Sequence, residues 1–588
     1  MADTTPLFGP SEDKPSAVAQ LTAAGPTPTQ GGVEVNRRGR ERKPIPDWTT
    51  RSHPQIASLA GSAAAADSPQ APVKISAINL LKSLPLLATL FGVAVFVRLG
   101  VLYLLTGTDA ASLGWFMDTF HHWQVAFLSK DIGFQHDFLR LWDFKGMEYF
   151  WGLLHPLVLA ALFAVTGSID ILIPRLLTVA TGSLTTVLIF LLVRRYFGLP
   201  AAIGAFLLVA ANPVVALADT SGLQEPLGIT VLLAGLLLWP KHPIHAGILL
   251  GTAGMVRAEY WVFGAGLALA AILMEWRNYG HWALALGWAV PTALYMKYML
   301  DYTGNPIYPV YWYFLGDAVG HWMGEGTLSS AVIAARWVSW ASLPFLCIAA
   351  LWVLRRRPPH ALLFLLGIGE LIFLAVVFGL TAFGRGFLPE LLLDRIFLLP
   401  HLYLGIFLSA LLLSWLGKRN PKSLTQPLGW VAVIGILVGA QVLWLPIQSA
   451  YESRRSAWEQ QVEAADVLAG LYQEGVVSIP ENMPAITYIL AWKHGIPAEG
   501  IEGQMYDPFS GMQGDPFEQW GATEAELKAW LVNEDIQLIA FYADKENYQQ
   551  MVLRMPEWFE FEGSILHEQI VVYRVRPVAQ PELDGLSG

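Results

Sequence analysis

Cysteine and charge are both scarce in this chain. A single cysteine, Cys347, stands in 588 residues and lies inside an apolar run, so an intramolecular disulfide and a cysteine-based metal centre are both excluded. Charged residues make up only 14% of the chain and the net charge is −10. That balance lacks the clustered Lys and Arg that grip a phosphate backbone, which excludes nucleic acid as an expected partner. Near its start the sequence also lacks the apolar run of a signal peptide, so the first membrane segment is expected to stay as an uncleaved anchor. Residues 1–75 are instead rich in Pro, Ala, Ser, Thr and Gly and carry the basic cluster Arg37, Arg38, Arg40, Arg42 and Lys43. Such a composition predicts a disordered tail, held in the cytoplasm by its positive charge.

Apolar residues are what the chain has in abundance. It is 54% hydrophobic, with a mean hydropathy of +0.45, too apolar and too long for one soluble core. A polytopic membrane protein follows. A span needs about 20 apolar residues at ~1.5 Å rise each, and about eleven stretches qualify: 78–105, 174–195, 200–218, 226–240, 245–262, 263–276, 281–302, 331–354, 361–383, 396–416 and 427–448. The basic groups Arg194/Arg195, Lys241/His242, Arg277, Arg355–Arg357 and Lys418/Arg419/Lys422 then all face the cytoplasm, provided that 151–168 does not span. That segment is short and contains His155-Pro156, which predicts a re-entrant or surface-lying helix. This topology puts a large loop, 106–173, outside the cytoplasm, together with everything after about 449.

The outer loop gathers Asp118, His121, His122, Asp131, Asp137, Asp143 and Glu148 among many Phe, Trp and Tyr residues, a composition suited to a membrane interface. Further polar residues expected on the same side include Glu225, Arg257, Glu259, Arg385, Asp394 and Arg395. Arg257-Ala-Glu259 falls between two short apolar runs. Ionisable groups at that depth are costly, so the pair has either a functional role or a structural one as an ion pair clamping helix ends. Asp118-x-x-x-His122 would put two potential metal ligands on one helix face, but the histidine pair also reads simply as interfacial, and no metal is expected.

After about 449 the chain turns soluble in character. VVSI, QLIAFYA, FEFEG and QIVVYRV predict strands; AITYILAWKHG, ATEAELKAWLVNED and KENYQQMVLRM predict helices. A small α/β domain of this size, without a nucleotide-binding G-x-x-x-x-G-K loop, is not expected to be an independent enzyme. Three parts are thus expected: a tail over 1–75, a transmembrane helical bundle over 76–448 and the α/β domain over 449–588.

Several elements in this order carry a resemblance. They are Arg98 late in the first span, Asp118 in GWFMDTF, His155-Pro156 ahead of PRLLTVATGSLTTVLIFLLVRRYFG, then SGLQEPLG, GTAGMVRAEYWVF, GNPIYPVYW and LDRIFLLPHLYL. Together they resemble the GT-C membrane glycosyltransferases, in the branch with protein O-mannosyltransferases and aminoarabinose transferases. There are two departures. Thr119 follows Asp118 where that family commonly has a second acid, and the oligosaccharyltransferase signature Trp-Trp-Asp-Tyr-Gly is missing.

The resemblance implies transfer of a sugar from a polyprenyl-phosphate donor to a glycan, lipid or protein acceptor at the extracytoplasmic face of the plasma membrane. No cofactor is implied beyond the lipid-linked sugar. Asp118 would be the general base, while Arg257 and Arg395 neutralise the leaving phosphate, with Arg98 and Arg385 in reserve. Glu225, Glu259, His122 and Asp394 would line the substrate site. Two other classes fit the composition: a transporter or flippase of lipid-linked or small polar substrates, and a membrane binding protein. A transporter would show inverted repeats and midplane polar residues, whereas here no repeat is evident and the polar residues collect on one face.

Overall fold

The computed structural model describes residues 77–106, 118–133, 151–197, 199–311, 458–480, 483–502, 523–544 and 546–576. The tail over 1–75, the four candidate spans after residue 311, and Asp137, Asp143, Glu148, Arg385, Asp394 and Arg395 lie outside the described residues.

Helix α1, Ala77–Thr106, opens the bundle. Phe96 and Leu104 are 78% and 80% exposed, while Arg98 between them is fully buried. An apolar face left bare beside a hidden charge is the pattern of a helix whose solvent is lipid. The segment between α1 and the next long helix contributes α2, Asp118–Leu128, which runs on into a π-helical turn, and α3, Leu154–Thr166. Then follow α4, Leu172–Phe197; α5, Leu199–Ala211; α6, Pro213–Ser221; α7, Glu225–Leu238; α8, Pro243–Gly254; α9, Ala258–Met274; and α10, Tyr279–Thr303. Among the described residues, 84–104 and 172–195 are long and apolar enough to cross a membrane, and α5 with α6 makes a third candidate bent by 59°.

Two element boundaries differ from the sequence reading, each for a local reason. The stretch 200–218 is broken because Pro213 has no N–H to give the preceding turn. Asn212 restarts the helix there, its Oδ1 accepting from Val215 N at 3.2 Å. The helix expected over 245–262 ends at Gly254, since Arg257 adopts extended backbone (φ −150°, ψ 149°) at the N-cap position of α9. Close packing of α8 on α10 depends on small residues: a Cβ at Gly247 would sit 2.1 Å from Leu284 O, and one at Gly287 2.2 Å from Ile244 O. Gly247-x-x-x-Gly251 is thus a close-approach face of the kind that joins helices in lipid.

The C-terminal part begins with a helix over 458–471, α11. It continues as β1 (Val476–Ser478), α12 (Pro484–His494), β2 (Ile501–Glu502), α13 (Glu524–Asn533), β3 (Ile536–Tyr542), α14 (Glu546–Arg554), β4 (Phe559–Ile565) and β5 (Ile570–Val575). All the predicted strands and helices are present, with α11 and β2 in addition. The five-stranded sheet has the order β2-β1-β3-β5-β4, parallel for β2-β1-β3 and antiparallel for β3-β5-β4. Side chains alternate across a strand, so Ile539 and Phe541 of β3 face α13 and α14, while Leu538 and Ala540 face α11 and α12. Helix α13 begins with a capping box, Thr523 with Glu526. The α11–α12 layer shares one hydrophobic core with α2 and the α3 segment.

Candidate active site

Asp118 is the first residue of α2, where a carboxylate meets the positive end of the helix dipole. Its side chain is half-buried, whereas every residue from Thr119 to Leu128 is buried. The neighbouring Thr119 donates its hydroxyl to Ser221 O at 2.9 Å. This bond ties the start of α2 to the end of α6. The turn continues through Gly222, whose φ of +89° suits a residue without Cβ and whose N–H donates to Thr178 Oγ1 at 3.2 Å. Three residues later α7 starts at Glu225.

Glu225 receives a hydrogen bond from Arg257 Nη1, and both side chains are buried. The ion pair joins the start of α7 to the start of α9. The segment Trp151–Leu154 lies against the same break, with Leu154 N donating to Met255 O at 3.0 Å. Gln224 completes the junction when its amide is oriented to donate to Trp151 O at 2.6 Å and Val256 O at 3.0 Å.

Over this junction pack the histidines. The His122 and His155 rings stand edge to face with centroids 5.1 Å apart, and His121 and His122 both lie against Trp151. Burial, then His155, Arg257 and His121, hold His122 well below the ordinary imidazole range, and burial lowers His121 from 6.5 to about 3. Both rings are neutral at pH 7. The unfolded chain takes up a proton below 6.5 that the folded His121 refuses, so stability falls with pH from 6.5 towards 3. At pH 5 this ring alone should cost about 2 kcal/mol, at 1.36 kcal/mol per pH unit, and His122 adds in the same direction. Thermal unfolding of the wild type and His121→Phe at pH 7.5 and pH 5 checks this; an equal loss on acidification in both proteins would remove the ring from the account.

Asp118, His122, Glu225 and Arg257 are therefore carried by elements that meet at one end of the bundle. Arg98 belongs to a different locus. Its Nη2 and Nε contact Asp219 Oδ2 at 2.7 and 2.8 Å, and Nη2 also donates to Thr186 Oγ1 at 2.7 Å. The Glu259 side chain, Arg395 and Asp394 lie outside the described residues. Sequence reasoning gave no role to Asp219, Gln224 or the fully buried Arg175. The available signal was their placement: polar residues in or at the ends of apolar helices are rare enough to be singled out. Among the described residues no group of three His, Cys, Asp or Glu side chains is arranged to hold a metal ion.

No family model and no curated protein matches the sequence. Among solved structures, the chain is similar to ArnT from Cupriavidus metallidurans bound to undecaprenyl phosphate, at 15% identity over 84% of this chain and 99% of that one, with a TM-score of 0.48. It is also similar to the Archaeoglobus fulgidus oligosaccharyltransferase, in complex with zinc and sulfate, at 13% identity over 81% of this chain and 72% of that one, with a TM-score of 0.43. The apo form of the same transferase gives 12% identity, coverage of 81% and 73%, and a TM-score of 0.44. Both proteins belong to the GT-C class that the sequence elements resemble. At such identity and overlap the likeness carries nothing about activity.

Proposed function

We propose that this chain is an integral membrane glycosyltransferase that moves a sugar from a polyprenyl-phosphate donor to an acceptor at the extracytoplasmic membrane face, with inversion and with Asp118 as general base. The observation that carries the reading is the convergence of a half-buried carboxylate at a helix start, neutral histidines, a tryptophan and a buried Arg–Glu pair at one end of an apolar bundle. In this reading the acceptor hydroxyl or amine loses its proton to Asp118 as its lone pair forms the new anomeric bond. The old bond to the phosphate oxygen breaks, and its electron pair leaves on the polyprenyl phosphate. Arg257 and Arg395 stabilise that negative charge; Glu225 orients Arg257, and His122 with Glu259 and Asp394 lines the sugar side.

A second reading, transport, draws on the break between α5 and α6 and the buried pair that Arg98 makes with Asp219 in the last turn of α6, since transporters place broken helices and buried charges at a substrate site. Mass spectrometry of cell-surface glycans separates the two. The transferase reading expects one glycan to lose a defined sugar when the gene is deleted and to regain it with the wild-type chain but not with Asp118→Asn. Restoration by both chains favours transport.

A further inference from the structure

Helix α2 lies outside the spans and is only 11 residues long, too short to hold its shape unaided in water. Its conformation is imposed by what surrounds it. One side packs on Trp151, Leu159 and Phe163 of the α3 segment, and the other on α11 and α12 of the C-terminal domain, in one shared core. Phe120, two residues from Asp118, stacks on Trp458 with ring centroids 5.2 Å apart. Tyr488 of α12 is fully buried and sits against both Phe120 and Trp123, at 5.5 and 5.0 Å. A side-chain hydrogen bond crosses this apolar seam, from Gln124 Nε2 to Thr487 Oγ1 at 3.1 Å, with both residues buried. A shift of α2 by a turn would leave that amide against hydrocarbon, so the bond fixes the register of the helix. Trp123 adds a second tether, its indole N–H donating to Ile169 O at 2.6 Å.

We infer that Trp458, Thr487 and Tyr488 of the C-terminal domain are positioning residues for Asp118, acting through α2, so that this domain sets the geometry of transfer without touching the reacting atoms. The inference rests on the base reading of Asp118. It gives a task to a domain whose sequence shows no chemistry of its own. A displacement of ~1 Å at a reacting group costs up to about 100-fold in rate, which sets the size of the effect.

The test uses the purified full chain with a pool of polyprenyl-phosphate-linked sugars, with envelope extract of the deletion strain as the source of acceptor, and measures release of free polyprenyl phosphate. Thr487→Val should lower kcat about 10- to 100-fold with an unchanged donor KM and a small fall in melting temperature from the orphaned Gln124 amide, while Thr487→Ser, which keeps the hydroxyl, restores turnover. If Thr487→Val does not fold, Gln124→Leu with Thr487→Val removes donor and acceptor together, leaves no orphaned group in the seam, and should show the same fall. Full turnover in whichever of the two folds overturns the inference, as does a rise in KM with kcat intact. Asp118→Asn run alongside separates the two readings. Loss there beside full turnover in Thr487→Val overturns the positioning alone, whereas full turnover in Asp118→Asn removes the base itself and the inference with it.

Discussion

Asp118→Asn should retain donor binding and lose about 10²–10⁴ in kcat, the range typical of removing a general base. Asparagine keeps the shape at the start of α2 while removing the proton acceptor, so folding should hold and the melting temperature should fall little. The control is Asp131, in the π-helical turn at the other end of the same helix, paired with Lys130 at 2.5 Å and about 30% exposed. Being remote from Asp118 and solvated, Asp131→Asn should change turnover little. Turnover assays with the same lipid-linked donors, with donor affinity measured separately, decide the matter. Normal turnover in Asp118→Asn beside loss in Asp131→Asn would move the base to the far end of the helix and leave the transferase reading standing.

Asp219→Leu should prevent accumulation of folded protein. Arg98 is fully buried and Asp219 is 2% exposed, so the substitution leaves a guanidinium inside the bundle with only Thr186 Oγ1 and Ala94 O to accept from it among the described residues. Breaking one side of a buried ion pair costs about 3–5 kcal/mol, comparable to the whole stability margin of many domains. Replacing both partners by apolar residues removes the uncompensated charge, so Arg98→Met with Asp219→Leu should recover much of the folded yield. Gly182→Ala should harm the fold in the same way, since its Cβ would lie 2.0 Å from Asp219 Cγ. Size-exclusion profiles and melting temperatures in detergent measure all three. A stable, monodisperse Asp219→Leu would show that Arg98 finds other partners, and a transport role for the pair would then gain ground.

The amino-acid sequence by itself determined the kinds of element and their order. Apolar run length gave the helices of the bundle, and short apolar runs rich in β-branched and aromatic residues gave β3 and β5. Thr523 and Glu526, three apart, marked the start of α13. These properties are local: each depends on residues within one or two turns. Asp118 was legible because acids are conspicuous in an aromatic, membrane-proximal stretch, and Arg257 because a charge between two apolar runs is costly unless it is used.

Only the tertiary structure decided which charges answer one another. Arg98 meets Asp219 across 121 residues of sequence, and Arg257 turns to Glu225, 32 residues before it, across two helices. Nothing in hydrophobic periodicity ranks one distant carboxylate over another, because the choice depends on which helix ends the bundle brings together. The docking of α12 on α2 was hidden for the same reason. Tyr488, Thr487 and Trp458 read as ordinary core residues of a small α/β domain, and only the fold presents that layer to the helix that carries Asp118.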